Sequence, residues 1–461
     1  METYRGKIFN EQVFEMYRNT LPSSKKNALI KSGLFTVVNK YRAKMSEQSG
    51  GYAIVEPIKG KLGGTPVNYD GNTNIPKGSE RPTFYQRKVC YGRAQSWGEY
   101  DFASDITGAN FKAEAGEVNE YWDEQRQITT LSILKGIFSM TGGVNGAFVS
   151  KHTYDITGAA TTTLGADSIN RAAQKGLGDS KAELNTMITH SMVSTNLEGL
   201  NLIDFLKYTD DNGIERDLTI GTYNGRLVIV DDDMPTSDTV TTAPVYSTTI
   251  STAATAGDKI SIAGTEYTFV ANDATPEDDE IKVGANGTAA QQAANIVAKV
   301  TLTGFTVTQG TSSNNNKVIF TASSGTNPTA PEVKATKAAT TGTLVVTNAT
   351  DTPAVVVTDY TTYLFKTGFF EYENIGLVEN KPSEIARDPY DKGGKTDLIT
   401  RVREAIIPMY ISYTGTDEVS PENSDFETGS NWELANNNKT GEYKLYVDDK
   451  LIPLVRIISR G

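Results

Sequence analysis

Cysteine is almost missing from this chain: Cys90 is the only one in 461 residues. A single thiol can neither close an intramolecular disulfide nor build a Cys-based zinc site, so folding in a reducing compartment is expected. Histidine is nearly as scarce, with His152 and His190 alone, which leaves few candidates for a general base poised near neutral pH. No stretch approaches the roughly 18 apolar residues that a membrane helix needs, so no membrane role is expected. The N-terminal stretch scatters Glu2, Arg5, Lys7, Glu11, Glu15 and Arg18 among apolar positions and lacks the apolar core of an export signal. A dense Lys/Arg block is missing as well, and the formal net charge of −12 argues against tight nucleic-acid binding through neutralised phosphates.

What remains is a long acidic chain, which at 461 residues exceeds one simple core and is expected to form two or three lobes. Up to about Gly50 it reads as short helical pieces, with Phe9, Val13, Phe14 and Tyr17 at helical spacing and a second segment from Ser24 to Phe35. Such a segment has little core of its own. From there to about Trp97, Gly, Pro and Asn punctuate short alternating runs at Tyr52–Val55 and Thr83–Val89, which predict a long two-stranded excursion. Its intervening stretch, Gly60 to Pro82, is poor in large apolar residues, so the excursion is expected to pack on a neighbouring subunit.

The strongest helical pattern runs from about Asn110 to Met140 and carries Val118, Tyr121, Trp122, Ile128, Leu131, Leu134, Ile137 and Phe138, ending before Gly142-Gly143. At about 1.5 Å per residue it predicts a spine of roughly 45 Å. Trp122, Leu131, Leu134 and Phe138 are the residues expected to carry its packing, the last three facing the sheet of the same domain. Beyond it come a Thr/Gly-rich hairpin region, Thr153 to Gly165, and a helix Ser168–Lys175 capped by Asp167. A second helix from about Ser180 and the apolar run Met187–Val193 follow, and then a hairpin within Gly221–Pro235 turning on Asn224-Gly225. Near the C-terminus a long strand, Asp397 to Tyr413, and a last strand, Leu451 to Ile458, are expected.

Composition breaks at about Thr236 and recovers at about Val355. Between these limits the chain is rich in Thr, Ala, Gly and Asn and has no Trp, Met, Cys, His or Arg. One hairpin pairs Ile260–Ile262 with Tyr267–Val270, a helix spans Ala289 to Val300, and a second hairpin pairs Phe305–Val307 with Val318–Phe320. Because Val228–Val230 before it and Thr362–Phe365 after it read as parts of one lobe, the block is an inserted domain.

Candidate chemistry is thin. Asp231-Asp232-Asp233 and Asp210-Asp211-Asn212-Gly213 lack the spaced donors and distal Glu of a calcium loop. His190-Ser191, read as strand neighbours on opposite faces and without a Gly-x-Ser-x-Gly elbow, are packing residues. The glycines at Gly60–Gly64 and Gly142-Gly143 do not complete a phosphate-binding loop, and Asp123-Glu124 read as a solvated helix face. No catalytic, cofactor-binding or metal-binding residue is assigned, and the chain is not expected to be an enzyme.

Several phrases are similar to those of a phage coat-protein family: Trp122-Asp123-Glu124 leading to Leu131–Phe138, Met187 to Leu197 around His190-Ser191, Gly225 to Pro235, Tyr363–Gly368, and Glu384 to Pro389. The order of segments likewise resembles the tailed-bacteriophage major capsid (coat) protein of the Hong Kong 97-like fold. That resemblance implies an α+β subunit with an N-terminal arm over 1–50, an E-loop over 51–98 and a P-domain with the spine helix over 99–165. An A-domain is implied over 166–235 and 356–390, and the P-domain return strand with the C-terminal segment over 391–461. The small β-rich α+β insertion domain occupies 236–355. It further implies a subunit that self-assembles as hexamers and pentamers into an icosahedral shell around double-stranded DNA. Portal, scaffold and decoration proteins would be its partners, with weak non-specific contact to packaged DNA; it would assemble in the bacterial cytoplasm and reside in the virion. Some members of that fold crosslink an E-loop lysine to an asparagine. Lys59, Lys61, Lys77 and Lys88, with Asn431 and Asn436 to Asn438, are present here, but no motif singles out a pair. The competing readings are an encapsulin-like compartment and, from another class, a carbohydrate-binding surface adhesin.

Overall fold

The computed structural model describes residues 3–4, 7–8, 30, 32–46, 52–72, 81–100, 115–209, 215–376, 383–387, 395–416, 418–439 and 444–460. The chain divides into two compact units, one of Met1–Pro235 with Tyr360–Gly461 and the other of Thr236–Asp359. The N-terminal helical pieces around Phe9 to Tyr17, the loop Asp210–Gly213, and Lys77 lie outside the described residues.

Two sheets organise the first unit. In one, strands follow the order Thr153–Asp155, Leu454–Ser459, the segment ending at Phe365, Thr186–Thr189, Arg226–Val230, Glu215–Tyr223 and Asp204–Thr209. Asn224 and Gly225 sit at φ 50° and 73° between the last hairpin's strands, the left-handed pair that a two-residue primed turn requires. The other sheet is built on the long strand Lys395–Pro408. Tyr91–Tyr100 lies along one edge, Ser383–Arg387 and Phe370–Asn374 along the other, and Phe35–Val37 pairs parallel with Phe370–Asn374. One core, including Leu34, Leu134, Phe138, Phe365, Phe370, Phe426 and Trp432, joins strands of both sheets to the spine helix.

That helix spans Ala115–Ile137, about 35 Å for its 23 residues. Residues 110–114 lie outside the described residues, and Phe138–Met140 form a turn beyond its end. Thr129, Thr130, Ser132, Ile133, Leu134 and Ile137 are all buried, so its C-terminal half is covered nearly all round. A Cβ on Gly136 would lie 1.9 Å from the Phe426 carbonyl oxygen and 2.6 Å from Trp432 Nε1, so glycine lets the short helix Asn423–Glu427 and Trp432 lie directly on the spine.

Several expectations need correction. Phe35 is a strand residue, and Leu34 and Tyr41 are fully buried, so the N-terminal segment from Leu34 onward is stitched into the body rather than forming an arm without a core. Thr153–Gly165 is no hairpin, because Thr153–Asp155 pairs with Leu454–Ser459 instead. The helix after Asp167 runs over Ser168–Leu177, yet Asp167 makes no capping bond; its carboxylate accepts from Arg171 Nε at 2.6 Å. From Ser180 the chain forms a 3-10 turn, Gly178–Glu183. The C-terminal strand breaks at Met409-Tyr410, where Tyr410 adopts φ 58°, and restarts as Ile411–Tyr413. Phe370–Asn374 and Ser383–Arg387, expected in the A-domain, belong to the sheet of the return strand. The last strand, expected over Leu451 to Ile458, runs over Leu454–Ser459 and pairs in the other sheet with the segment ending at Phe365. The helix Gly143–His152 carries no cap or strong periodicity and was not expected.

The second unit holds two four-stranded sheets and one helix. Val245–Thr252 pairs between Lys317–Ala322 and Val345–Thr352, with Phe305–Gln309 at the edge. Lys259–Ile262 pairs between Thr265–Val270 and Val333–Thr336, with Glu280–Lys282 beyond. Ala263 and Gly264, at φ 50° and 86°, make the primed turn of that hairpin. The helix Ala289–Lys299 begins at Thr288, whose hydroxyl accepts from Gln291 N at 3.3 Å, and its Ala293 and Ile296 enter a core with Ile260, Phe269 and Phe320.

Candidate assembly site

The excursion is two antiparallel strands, Ala53–Lys59 and Thr83–Val89, in one register from Ala53↔Val89 to Lys59↔Thr83. Cys90 alone separates the second strand from Tyr91–Tyr100 of the body sheet, so the excursion grows straight out of that sheet. Its root is pinned on two sides. On one, Tyr85 and Asn436 exchange backbone bonds, Gln86 Nε2 donates to the carbonyls of Pro408 and Ile411 at 2.8 and 2.9 Å, and Arg87 donates to the Gly415 carbonyl at 2.7 Å. On the other, the buried Lys88 ammonium reaches Tyr41 Oη at 2.6 Å, Glu56 at 2.5 Å and Glu371 at 3.1 Å. Tyr41 Oη itself donates to Glu371, and Lys40 and Lys44 pair with Glu371 and Glu56. Burial alone would raise the Glu56 carboxyl, but the hydrogen bond and charge of Lys88, helped by Lys44, hold it down at about 2. Burial raises the Tyr41 hydroxyl, and the Glu371 carboxylate beside it raises it further.

Every residue from Lys61 to Asn72 is exposed, including Leu62 at 69%, Val67 at 45% and Tyr69 at 72%. Three large apolar side chains laid bare on one extended segment form a surface suited to another chain.

Trp122 is buried beside Tyr121, which in turn meets Trp97 edge-on at 5.0 Å. Leu134 and Phe138 are buried and Leu131 half-buried in one core. Phe138 stacks on Tyr363 at 5.6 Å, with the Arg456 guanidinium 4.7 Å from its ring, and both belong to the sheet that contains Leu454–Ser459. Asp123 is no free solvated acid, because it accepts from Arg126 at 2.6 Å, and Arg126 continues to the buried Glu404 at 2.7 Å. His190 and Ser191 are not strand neighbours: His190 caps the helix Ser191–Gly199, its Nδ1 accepting from Met192 N at 3.1 Å. Among the described residues no group of three His, Cys, Asp or Glu side chains is placed to hold a metal ion, and no helix is long and apolar enough to cross a membrane.

Reading the sequence missed the polar root. Lys88 looks like one more charge in a half-polar strand, and its partner Glu371 lies 283 positions away. Gln86 and Lys88 lie two apart, on one face of the strand Thr83–Val89, and both are buried, with Arg87 between them on the other face.

No protein-family model matches the chain, and no curated protein matches it by sequence. Among solved structures it is similar to the capsid of Helicobacter pylori bacteriophage KHP30, at 10% identity over 100% of both chains with a TM-score of 0.43. It is similar to the head of Helicobacter pylori bacteriophage KHP40 at 8% identity, over 96% of this chain and 93% of that one, with a TM-score of 0.41. The capsid of Ralstonia phage GP4 is similar at 6% identity over 96% and 93%, with a TM-score of 0.40.

Proposed function

We propose that this chain is a major capsid protein of the Hong Kong 97-like fold, a structural subunit and not an enzyme, whose copies close into hexamers and pentamers of a phage shell. The observation that carries the reading is the excursion: its root is fixed by buried polar contacts while Leu62, Val67 and Tyr69 beyond it lie bare. A rigidly anchored projection with uncovered apolar surface stabilises contacts between copies, and many such small contacts build a closed assembly. The phage coat-like phrases along the spine and around Gly225–Pro235 point the same way. Portal, scaffold and decoration proteins, weak contact with packaged DNA, and assembly in the host cytoplasm belong to the same reading.

The test replaces Lys61–Asn72 with a Gly/Ser linker of equal length and follows assembly by size-exclusion chromatography and electron microscopy. The unaltered chain should form closed particles, and the variant should stay a folded, unassembled subunit. Normal particles from the variant, or an unaltered chain that never assembles, would overturn the reading. Particle contents separate a phage shell, which packages DNA, from an encapsulin-like compartment, which holds protein.

The unit Thr236–Asp359 is read as an outward-facing surface domain that the basic shell does not need. Its lack of Arg and its excess of Asp and Glu over Lys would repel packaged DNA if it faced inward. Shells that still assemble after its replacement by a short linker, losing only outer protrusions, support this; inner-surface density for the unit sinks it.

A further inference from the structure

The helix Tyr41–Ser46 is too short to stand alone, and a carboxylate from far along the chain holds its first turn. Glu373, itself buried, accepts from the backbone N–H groups of Lys40 at 2.9 Å, Tyr41 at 2.7 Å and Arg42 at 2.8 Å. Those donors are the ones a helix start leaves unpaired, and a negative charge is favoured there. Capping presents Tyr41, whose hydroxyl accepts from Lys88 of the excursion and donates to Glu371 of the body sheet. Glu56, from the other strand of the excursion, completes the cluster through Lys88. Glu56 and Lys88 of the excursion offset each other, and Lys40 and Lys44 offset Glu371 and Glu373 of the body sheet, so three cations meet three carboxylates where the three segments converge.

We propose that this cluster is a latch that couples docking of the helix Tyr41–Ser46 to the fixed direction of the excursion, so that releasing either one loosens the other. The coupling is a property of the single subunit and does not depend on the shell reading. The most telling position is Glu373, whose carboxylate accepts from residues 40–42 and, among the described residues, makes no bond to the excursion. Connectivity alone could pass a disturbance from residue 46 to the strand Ala53–Lys59. Through the ladder from Ala53↔Val89 to Lys59↔Thr83 it could reach Thr83–Val89 as well, so the return effect of Lys88→Met and the double variant, rather than the spread alone, separate the latch from that path.

Hydrogen exchange of the full chain, read by mass spectrometry, tests this. Glu373→Gln should speed exchange in Thr83–Val89 as well as in Tyr41–Ser46 by about tenfold, while Leu454–Ser459 keeps its protection. Lys88→Met should loosen Tyr41–Ser46 in return, because coupling is reciprocal, and the double variant should show less than the product of the two single effects. If Glu373→Gln loosens only Tyr41–Ser46, or the two effects multiply independently, there is no latch. Should Glu373→Gln also strip protection from Leu454–Ser459, the gentler Tyr41→Phe, which removes one hydroxyl, decides by the same criteria.

Discussion

In the unit spanning residues 236–359 the chain turns back on itself through Ala263-Gly264, and its central polar group is one carboxylate that gathers backbone. Asp258 is fully buried and accepts from the N–H groups of Thr255, Ala338, Thr343 and Leu344 at 2.8 to 3.0 Å. In the unit of residues 1–235 and 360–461, where Glu373 likewise gathers backbone N–H groups, side-chain ion pairs also join distant segments: Arg126 with Glu404 at 2.7 Å and Lys88 with Glu371 at 3.1 Å. A carboxylate that meets only neutral donors, here four backbone N–H groups and the Thr255 hydroxyl, keeps its charge without a cation, and burial is offset by backbone bonds that hold its carboxyl at about 2. Ion pairs between side chains are satisfied only when both distant segments are in place, so the larger unit gains order as a whole or not at all. The difference predicts that the smaller unit folds by itself, whereas in the larger one a local defect should spread.

The sharpest way to break this contrast is at Phe138, where truncation to Ala removes a ring stacked on Tyr363 and should cost the larger unit about 3 to 5 kcal/mol. Calorimetry should show its transition move down while that of the smaller unit stays in place; two transitions shifting together would refute independent folding. Asp258→Ala is the converse. It orphans buried N–H groups and should destabilise the smaller unit by roughly 3 kcal/mol, leaving the larger one's transition where it was. Gly136→Ala forces a Cβ against the Phe426 carbonyl, and overpacking of this kind should cost about 1 to 3 kcal/mol, read as a lower denaturation midpoint with an unchanged slope.

The smallest effect is one of pH. His152 is fully buried; its Nδ1 donates to the Leu454 carbonyl at 2.6 Å, and its Nε2 has no hydrogen-bond partner among the described residues. Burial lowers its pKa below the ordinary 6.5, against the pull of the Leu454 carbonyl and Asp449. A depressed histidine binds its proton more readily unfolded than folded, so its stabilising contribution is complete above pH 6.5 and is lost as pH falls through the folded pKa. The larger unit should therefore weaken on mild acidification, with a slope below about 1.4 kcal/mol per pH unit, the limit for one proton. His152→Gln should flatten that slope between pH 5 and 7, conditions under which Asp258 stays ionised, and the smaller unit should show no slope of its own.

Much of the smaller unit could be read directly from its residues. Alternating Ile260–Ile262 and Tyr267–Val270 and the Ala263-Gly264 turn each state their conformation within a few positions, because φ preference and alternation act over one hairpin. The spine helix and the Asn224-Gly225 turn were legible for the same reason. Side-chain periodicity says which face of an element is buried but not against what. It could place Phe138 in a core, yet not choose between the two sheets, and it could not tell that Gly136 exists for Phe426 and Trp432.

The sequence by itself therefore determined the local elements, the break in composition near Thr236, and the poverty of the excursion in apolar partners. Tertiary structure alone decided the rest. Leu454–Ser459 pairs with the strand ending at Phe365 rather than with Lys395–Pro408, Asp123 belongs to a pair that ends at Glu404, and Lys88 is buried because Tyr41, Glu56 and Glu371 converge on it. Pairings across hundreds of positions are settled by which assembly satisfies every buried charge and backbone group at once, a condition on the whole unit that no short window of residues carries.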